Sequence, residues 1–258
     1  MSLPEGMKQK NVHLERLEID GNHSLSFMTR GQLPSSLKQL RLKKCEKLQY
    51  VFGDADETHT SSYSVIHEEN INTFLERLTV DSCPSLTCLS TRDQLPATLR
   101  YLQIDCCSKI TTLSRGQLPD SLQDLFIHYC PKLEREEGLP STNLRKFTII
   151  DCENLKSLPR GMQTLASFSI WRYPSMSNIK SFPEECFHTK LTSLEIGIRN
   201  LDMYEQLIQW VLPKLTSLTS LGIGRCPDVE SFEIGMMLPT SLTKLTSIVT
   251  SIVATLCI

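Results

Sequence analysis

The residues of this chain best suited to chemistry are its ten cysteines, since a thiolate can attack an electrophile, form a disulfide or ligate zinc. Their spacing favours none of these roles. Cys83 and Cys88 are too far apart for a C-x-x-C knuckle, and the adjacent Cys106 and Cys107 have no second pair at ligand spacing. We therefore expect no metal and no cofactor. We also expect reduced thiols, because 258 residues, 40% of them hydrophobic, can bury a core without disulfides.

Histidine is the other residue type that commonly carries catalysis at neutral pH. His128 stands in a segment of alternating apolar residues, but no Ser or Cys and acid near it form a recognisable triad. Paired acids at a useful spacing are not found either. The sequence predicts a protein that is not an enzyme.

The charge of the chain is nearly balanced. Its 27 basic and 29 acidic side chains leave a formal net charge of -2, so no strong field attracts nucleic acid or an anionic membrane. No apolar run reaches the roughly 20 residues that a membrane span needs, and the first residues lack the pattern of a secretory signal. We expect a cytoplasmic protein that binds no nucleic acid and has no membrane span.

The elements that position these residues follow from an internal repeat of the form L-x-x-L-x-I-x-x-C-x-x-L. Its clearest copy contains Leu99, Leu102, Ile104, Cys107 and Ile110. The copies begin at Leu14, Leu37, Leu75, Leu99, Leu122, Leu144, Leu165, Leu191 and Leu218, with a partial copy at Leu242. Most follow one another after about 21 to 27 residues, which is the period of leucine-rich repeats. Several copies are preceded by Leu-Pro, which marks the return into the next strand.

In each copy the second Leu and the Ile alternate with polar residues, a pattern typical of a short strand with one buried face. One such strand is unstable alone, but stacked copies bury a continuous core. We therefore predict one leucine-rich-repeat domain of about ten repeats over residues 1–258. The expected shape is a horseshoe solenoid with a parallel β-sheet on the concave face, and with irregular, 3₁₀ and occasional α-helical segments on the convex face.

A cysteine follows most of the predicted strands, where the chain turns inward. Other repeats of this class place Asn there to bond the turn backbone, and a small thiol can fill the same buried slot. The residues at this position are Asn22, Cys45, Cys83, Cys107, Cys130, Cys152 and Cys226. We interpret this column as packing rather than as a redox or metal site.

Three segments depart from the repeat. Residues 53–74 are rich in Asp, Glu, Ser, Thr and His, and predict a mobile polar insert. Residues 201–212 place apolar side chains at helical spacing and predict a convex helix. Residues 246–258 form an atypical apolar tail, and neither end of the chain shows a capping element, so we expect a fragment or the last repeats of a larger protein.

Three phrases carry a resemblance to a known family. They are LERLTVDSCPSL at residues 75–86, QLPATL at residues 94–99 and LPTSLTKL at residues 238–245. With them the chain resembles the C-terminal repeats of plant nucleotide-binding leucine-rich-repeat (NLR) disease-resistance proteins of the coiled-coil class. This resemblance implies recognition of a pathogen effector or an altered host protein, or contact with the nucleotide-binding domain of the parent receptor. No G-x-x-x-x-G-K-[ST] phosphate loop is present, so the resemblance assigns no nucleotide to these residues.

The residues between and just after the strand leucines are expected to face solvent on the concave side, in columns. Near the start of the chain they are mainly charged, and later they include aromatic side chains, which with Arg dominate the energetics of interfaces. The predicted protein-binding residues are Tyr101, Phe126, His128, Tyr129, Ile150, Trp171 and Arg172, with Trp171 as the main anchor. For Phe126 and Ile150, packing against neighbouring strands is an equal alternative.

Two other functions stay open at the level of sequence. F-box substrate adaptors of ubiquitin ligases also carry Cys-bearing leucine-rich repeats, although this chain contains no F-box and has Leu-Pro returns instead of regular helices. The chain is also compatible with a truncated gene fragment that has no independent function. An upstream phosphate loop would favour the immune receptor, and an upstream F-box the adaptor.

Overall fold

The computed structural model describes residues 13–28, 33–52, 74–91, 95–114, 118–134, 143–154, 162–171, 190–197, 205, 207–224 and 238–248. The chain forms two compact units, Met1–Leu122 and Gln123–Ile258, called here the first and the second unit. The helix expected over residues 201–212 lies partly within the described residues. Of the polar insert only Phe74 is described, and of the atypical tail only the first three residues, so the other expectations for these segments fall outside the described residues.

The first unit contains a parallel sheet and a smaller parallel sheet. The larger sheet has the order β1 (Arg16–Asp20), β2 (Gln39–Lys43), β4 (Arg77–Asp81) and β6 (Tyr101–Asp105), and the smaller pairs β3 (Tyr50–Phe52) with β5 (Cys88–Ser90). The sequence did not predict the smaller sheet. Its two strands lie in the return segments, and Val51, Phe52 and Leu89 are buried within them.

The second unit contains a six-stranded parallel sheet. Its strands, in spatial order, are β7 (Asp124–His128), β8 (Lys146–Ile150), β9 (Ser167–Trp171), β10 (Ser193–Gly197), β11 (Ser220–Gly224) and β12 (Lys244–Ile248). The described returns carry 3₁₀ turns at Met162–Thr164 and Leu212–Lys214. The helical spacing near residue 207 forms a short π-helix at Leu207–Val211, directly before the second 3₁₀ turn.

Each strand of the two larger sheets begins two residues after a leucine that opens a repeat. The parallel sheet predicted from the alternation is confirmed. In β2, for example, Leu40 and Leu42 are buried while Gln39, Arg41 and Lys43 are exposed or half-buried. Burying one such Leu contributes about 2 kcal/mol, and the in-register pairing aligns Leu40 with Leu78 in the next strand. The core of each unit is therefore built from equivalent leucines of successive repeats.

The Leu-Pro phrase forms a turn that connects one repeat to the next. In the copy before β6, the amide of Leu99 donates to the carbonyl of Pro96 at 3.0 Å. The hydroxyl of Thr98 then donates to the carbonyl of Leu75, one repeat earlier, at 2.9 Å. The same hydroxyl bond recurs from Ser36 to Leu14, from Ser121 to Leu99 and from Ser241 to Leu218. These bonds satisfy carbonyls that the core would otherwise leave without a donor.

The cysteine column occupies the buried slots that the sequence predicted. Each described thiol of the column donates to the carbonyl two residues before it, as in Cys107 to Asp105 at 3.3 Å. In the first copy the Oδ1 of Asn22 accepts from the amides of Ser24 and Leu25, both at 2.9 Å. Burial raises the pKa of Cys107 to about 12 and that of Cys152 to about 11, because the apolar slot disfavours a thiolate.

The residue that follows a strand often adopts a left-handed backbone. Positive φ angles occur at Gly21, Lys44, Ser82, Cys106, Tyr129 and Asp151. This conformation lets the amide continue the ladder, as in Lys44 to the carbonyl of Asp81 at 2.9 Å. Five of these six residues are not glycine, so each accepts a strain of about 1 kcal/mol or more.

Candidate protein-binding surface

In the larger sheet of each unit, the first and third residues of every strand, and the fifth residue of every strand except β12, lie on the side opposite the buried leucines. They form one solvent-facing surface in each unit, called here the first-unit face and the second-unit face. Because the strands are parallel and in register, equivalent positions align in columns across the sheet. The sequence predicted these columns.

The first-unit face is charged, and most of its charges are paired. The guanidinium groups of Arg16 and Arg41 lie 3.9 and 3.7 Å from the carboxylate of Glu18. In the column at the ends of the strands, Lys43 lies 3.9 Å from Asp81. All of these side chains remain partly exposed, so the pairs add little to stability. These side chains are important because they give the first-unit face a defined pattern of positive and negative charge.

Tyr101, a predicted binding residue, lies on the first-unit face in a defined environment. The guanidinium carbon of Arg77 stands 3.8 Å from the centre of its ring, the geometry of a cation–π contact. The phenolic oxygen donates to Oε1 of Gln103 at 2.7 Å. The Tyr101 ring is therefore fixed by a contact on its face and by a hydrogen bond at its hydroxyl, and it has a defined orientation.

A shallow depression of about 350 Å³ opens on the first-unit face. Three arginines contribute to its lining, along with two aspartates and several neutral polar side chains. The lining residues are Arg16, Gln39, Leu40, Arg41, Arg77, Thr79, Asp81, Tyr101, Gln103 and Asp105. The sequence predicted only Tyr101 of this set as a binding residue, since all the others except the buried Leu40 are charged or polar types common on any surface.

The second-unit face brings four of the predicted residues onto adjacent strands. Phe126 and His128 both lie on β7, with ring centres 6.5 Å apart in an edge-to-face arrangement. His128 is in register with Ile150 on β8, and Ile150 with Trp171 on β9. All four side chains are half-buried. His128, Ile150 and Trp171 form an aromatic and aliphatic column at the ends of three strands, and Phe126 lies beside it in the middle of β7.

Trp171 lies flat on the sheet instead of projecting from it. Its indole Nε1 donates to the hydroxyl of Ser169 at 2.8 Å and lies 3.4 Å from Oε2 of Glu195. A methyl group added at Gly197 would stand 2.7 Å from Trp171 Cε3, and one added at Gly224 only 2.4 Å from Cζ3. The two glycines that end β10 and β11 thus create the space for the ring. The sequence analysis did not identify either glycine as part of this surface.

The remaining predicted residues lie elsewhere or are not described. Tyr129 follows β7 in a left-handed turn and is 45% exposed, so it lies next to the second-unit face but outside its strands. Arg172 lies outside the described residues. Tyr101 belongs to the first unit, and the other described residues of the predicted set belong to the second.

Neither a metal-binding cluster nor a membrane-spanning helix is found in the part of the chain that the structure describes. Within it, no group of three or more His, Cys, Asp and Glu side chains is placed to hold a metal ion. None of its helices is long and apolar enough to cross a membrane. The chemistry that these surfaces offer is that of non-covalent contact, from stacked rings, guanidinium groups and hydrogen-bonding side chains.

The comparisons with known proteins point to the same class as the repeat. No family model matches the chain. It is 31% identical over 251 residues, 95% of its length, to a protein of Arabidopsis thaliana named as a disease resistance protein, of which it covers 17%. A second Arabidopsis thaliana protein named in the same way is 26% identical over 162 residues, covering 61% of this chain and 13% of that protein. The chain thus spans less than a fifth of the length of these relatives.

A solved structure supports the fold independently. The leucine-rich repeat domain of the type III effector XopL aligns with a TM-score of 0.53 at 17% identity, covering 95% of this chain and 72% of that one. The chain is therefore a leucine-rich-repeat protein. Its resemblance to the repeats of plant disease-resistance proteins, which the sequence phrases indicated, is confirmed.

Proposed function

We propose that this chain is a protein-recognition module of a plant disease-resistance protein and acts in innate immunity. Its ligand is a pathogen- or host-derived protein, or a partner domain of the same receptor, and the proposed setting is the cytoplasm. The similarity to disease resistance proteins over 95% of the chain and the leucine-rich-repeat fold support a role in binding rather than in catalysis.

The observation that carries the proposal is the column of His128, Ile150 and Trp171 on the second-unit face. The register places these side chains side by side on β7, β8 and β9. Apolar and aromatic groups that stay accessible on a sheet face are a common feature of binding surfaces, and aromatic side chains account for much of the energy of such interfaces. The ring of Trp171 is already fixed by Ser169 and the two glycines, so a partner would meet a preorganised surface.

The experiment compares the proteins captured from plant leaf extract by the wild-type chain and by a variant with Phe126→Ala, Ile150→Ala and Trp171→Ala. Circular dichroism first establishes that both are folded. We expect a set of proteins that the wild type retains and the variant loses, measured by quantitative mass spectrometry. The matched control is Phe74→Ala, which removes a 52% exposed ring outside the strands and should leave capture unchanged. Equal capture by all three chains would contradict the proposal.

A further inference from the structure

A column of hydrogen-bond donors crosses the first-unit face at the start of its strands. The register pairs Arg16 with Gln39, Arg77 with Gln39, and Arg77 with Tyr101. Guanidinium and amide groups donate several N–H bonds each. The depression of about 350 Å³ is lined by all four of these residues. The edge of the first-unit face at the strand starts therefore offers hydrogen-bond donors to a ligand that accepts hydrogen bonds.

Among the described residues, Arg77 is the cation of this column that has no carboxylate partner and can therefore pair with a ligand. Arg16 and Arg41 both approach Glu18, and Lys43 approaches Asp81. Within the described residues Arg77 forms no ion pair, and its guanidinium instead stacks on the ring of Tyr101 at 3.8 Å. Stacking uses the flat face of the guanidinium and leaves the N–H groups at its edge for a ligand. The bond from Tyr101 to Gln103 fixes the ring below it.

The opposite edge of the same face is acidic. The column at the strand ends contains Asp20, Asp81 and Asp105, with Lys43 as its one cation in the described sheet. A negatively charged ligand is repelled from that edge and attracted to the arginine edge. The two edges together define where an anionic group would lie and in which direction it would point.

We propose that the depression on the first-unit face binds a carboxylate side chain from an acidic segment of a protein partner. The carboxylate accepts two parallel N–H bonds from the edge of Arg77, a geometry that the planar guanidinium fork matches, while Arg16 and Gln39 donate beside it. The inference deepens the proposed function and rests on it, in that the ligand is a protein. It assigns a specific chemistry to residues outside the aromatic column.

The test uses the full chain and two dye-labelled ten-residue peptides, one alternating Glu and Gly and the other alternating Gln and Gly. Binding is followed by fluorescence anisotropy at low and at high salt. We expect the Glu peptide to bind at low salt, the Gln peptide to bind at least about tenfold more weakly, and the difference to shrink as salt screens the charges. Equal binding of the two peptides overturns the inference.

Variants separate a specific site from general attraction to positive charge. Arg77→Gln should weaken binding of the Glu peptide about tenfold, because it removes a charge-assisted bidentate contact. Tyr101→Ala removes the stacked ring and should also weaken binding. Arg100→Gln removes an exposed arginine that does not line the depression and should bind within about twofold of wild type. If Arg100→Gln loses as much affinity as Arg77→Gln, the inference is wrong.

The failure of this inference is distinguishable from failure of the proposed function. The variant with Phe126→Ala, Ile150→Ala and Trp171→Ala should bind the Glu peptide like wild type, since none of the three residues lines the depression. If the Glu peptide does not bind while partner capture still depends on Trp171, only the carboxylate site is wrong. If the peptide binds at Arg77 and no partner capture depends on Trp171, the site stands and the aromatic surface does not.

Discussion

The faces of the two units differ although the same repeat builds both. The first-unit face carries charges on all its strands, including Glu18, Arg41 and Asp81. The second-unit face carries an aromatic and aliphatic column followed by glycines at the ends of β10 and β11. The buried strand positions are similar in the two units, since large aliphatic side chains fill most of them and Phe fills two in the second unit. The comparison teaches that the buried positions determine the fold and that the exposed positions are free to determine binding.

The largest predicted losses of stability come from truncating the buried core side chains that both units have. Leu102→Ala in the first unit and Phe168→Ala in the second remove fully buried side chains. Each should lower the free energy of unfolding by about 3 to 4 kcal/mol, from lost burial and the cavity left behind. Urea denaturation measures both, and Ser193→Ala, on the second-unit face, should change stability by less than about 0.5 kcal/mol. A small loss for either core variant would show that its unit is not packed as described.

Two thiols of the cysteine column, Cys107 in the first unit and Cys152 in the second, should make the stability of their units depend on alkaline pH. The folded pKa of Cys107 is about 12 and that of Cys152 about 11, against an ordinary value of 9.0. Because the folded value is raised, the stabilisation is fully present below pH 9 and is lost as pH rises toward 11 and 12. At pH 10.5 the free energy of unfolding should be lower by about 2 kcal/mol for each thiol.

Urea titrations at pH 8 and pH 10.5 measure this loss, with Cys107→Ala and Cys152→Ala as references that remove one thiol each. Each reference variant should show a smaller loss than wild type between the two pH values. If the losses are equal, the thiols ionise as readily in the folded chain as in the unfolded one, and the buried column is wrong.

A smaller loss of stability is expected when the contact between Trp171 and Gly224 on the second-unit face is disturbed. Gly224→Ala would place a methyl group 2.4 Å from the ring of Trp171, so the ring must shift, and overpacking should cost about 1 to 2 kcal/mol. In a Trp210→Phe background, where Trp171 is the only tryptophan left, its emission should move to longer wavelength as the ring becomes more exposed. Ser220→Ala, at the first position of β11 and so at the other end of the strand from Gly224, should leave the emission unchanged. Unchanged emission in both variants would mean that Trp171 does not lie on Gly224.

The smallest predicted effect concerns the turns after the strands. Lys44 is exposed and has a φ of 52°, a conformation that glycine adopts without strain. Lys44→Gly should raise the free energy of unfolding by up to about 1 kcal/mol. Lys47→Gly, at an exposed position without a positive φ, should lower it instead. Thermal unfolding of the two variants tests the pair, and a destabilised Lys44→Gly would contradict the turn geometry.

Much of the fold could be predicted because its signal is periodic. Each L-x-x-L-x-I phrase predicts which positions along a strand are buried and which face solvent. Each strand of the larger sheets starts two residues after the opening leucine of its phrase. The small sheet of β3 and β5 was missed because its strands have three residues each, too few for an alternation to be recognised. The left-handed turns were missed because Lys44, Ser82 and Cys106 are not residues that mark such a conformation.

Less of the candidate surface could be predicted, because its contacts depend on the register between distant residues. The aromatic side chains of the second-unit face were found from their type and position in the repeat. The space below Trp171 depends on Gly197 and Gly224, which are 26 and 53 residues further along the chain. The contact of Arg77 with Tyr101 likewise joins residues of different repeats. The spacing of the repeat predicts which residues share a column. Which side chains contact one another depends on how the strands pack in the folded sheet.

The second-unit face is proposed to contact a protein partner itself, and site-specific photo-crosslinking measures whether it does. A photoreactive phenylalanine derivative is placed at Thr148, in the middle of β8 on this face, and separately at Phe74, outside the strands. After irradiation in leaf extract, we predict a crosslinked partner from position 148 that is absent from position 74. The Trp171→Ala change should abolish that crosslink. A partner crosslinked from position 74 and not from position 148 would contradict the account.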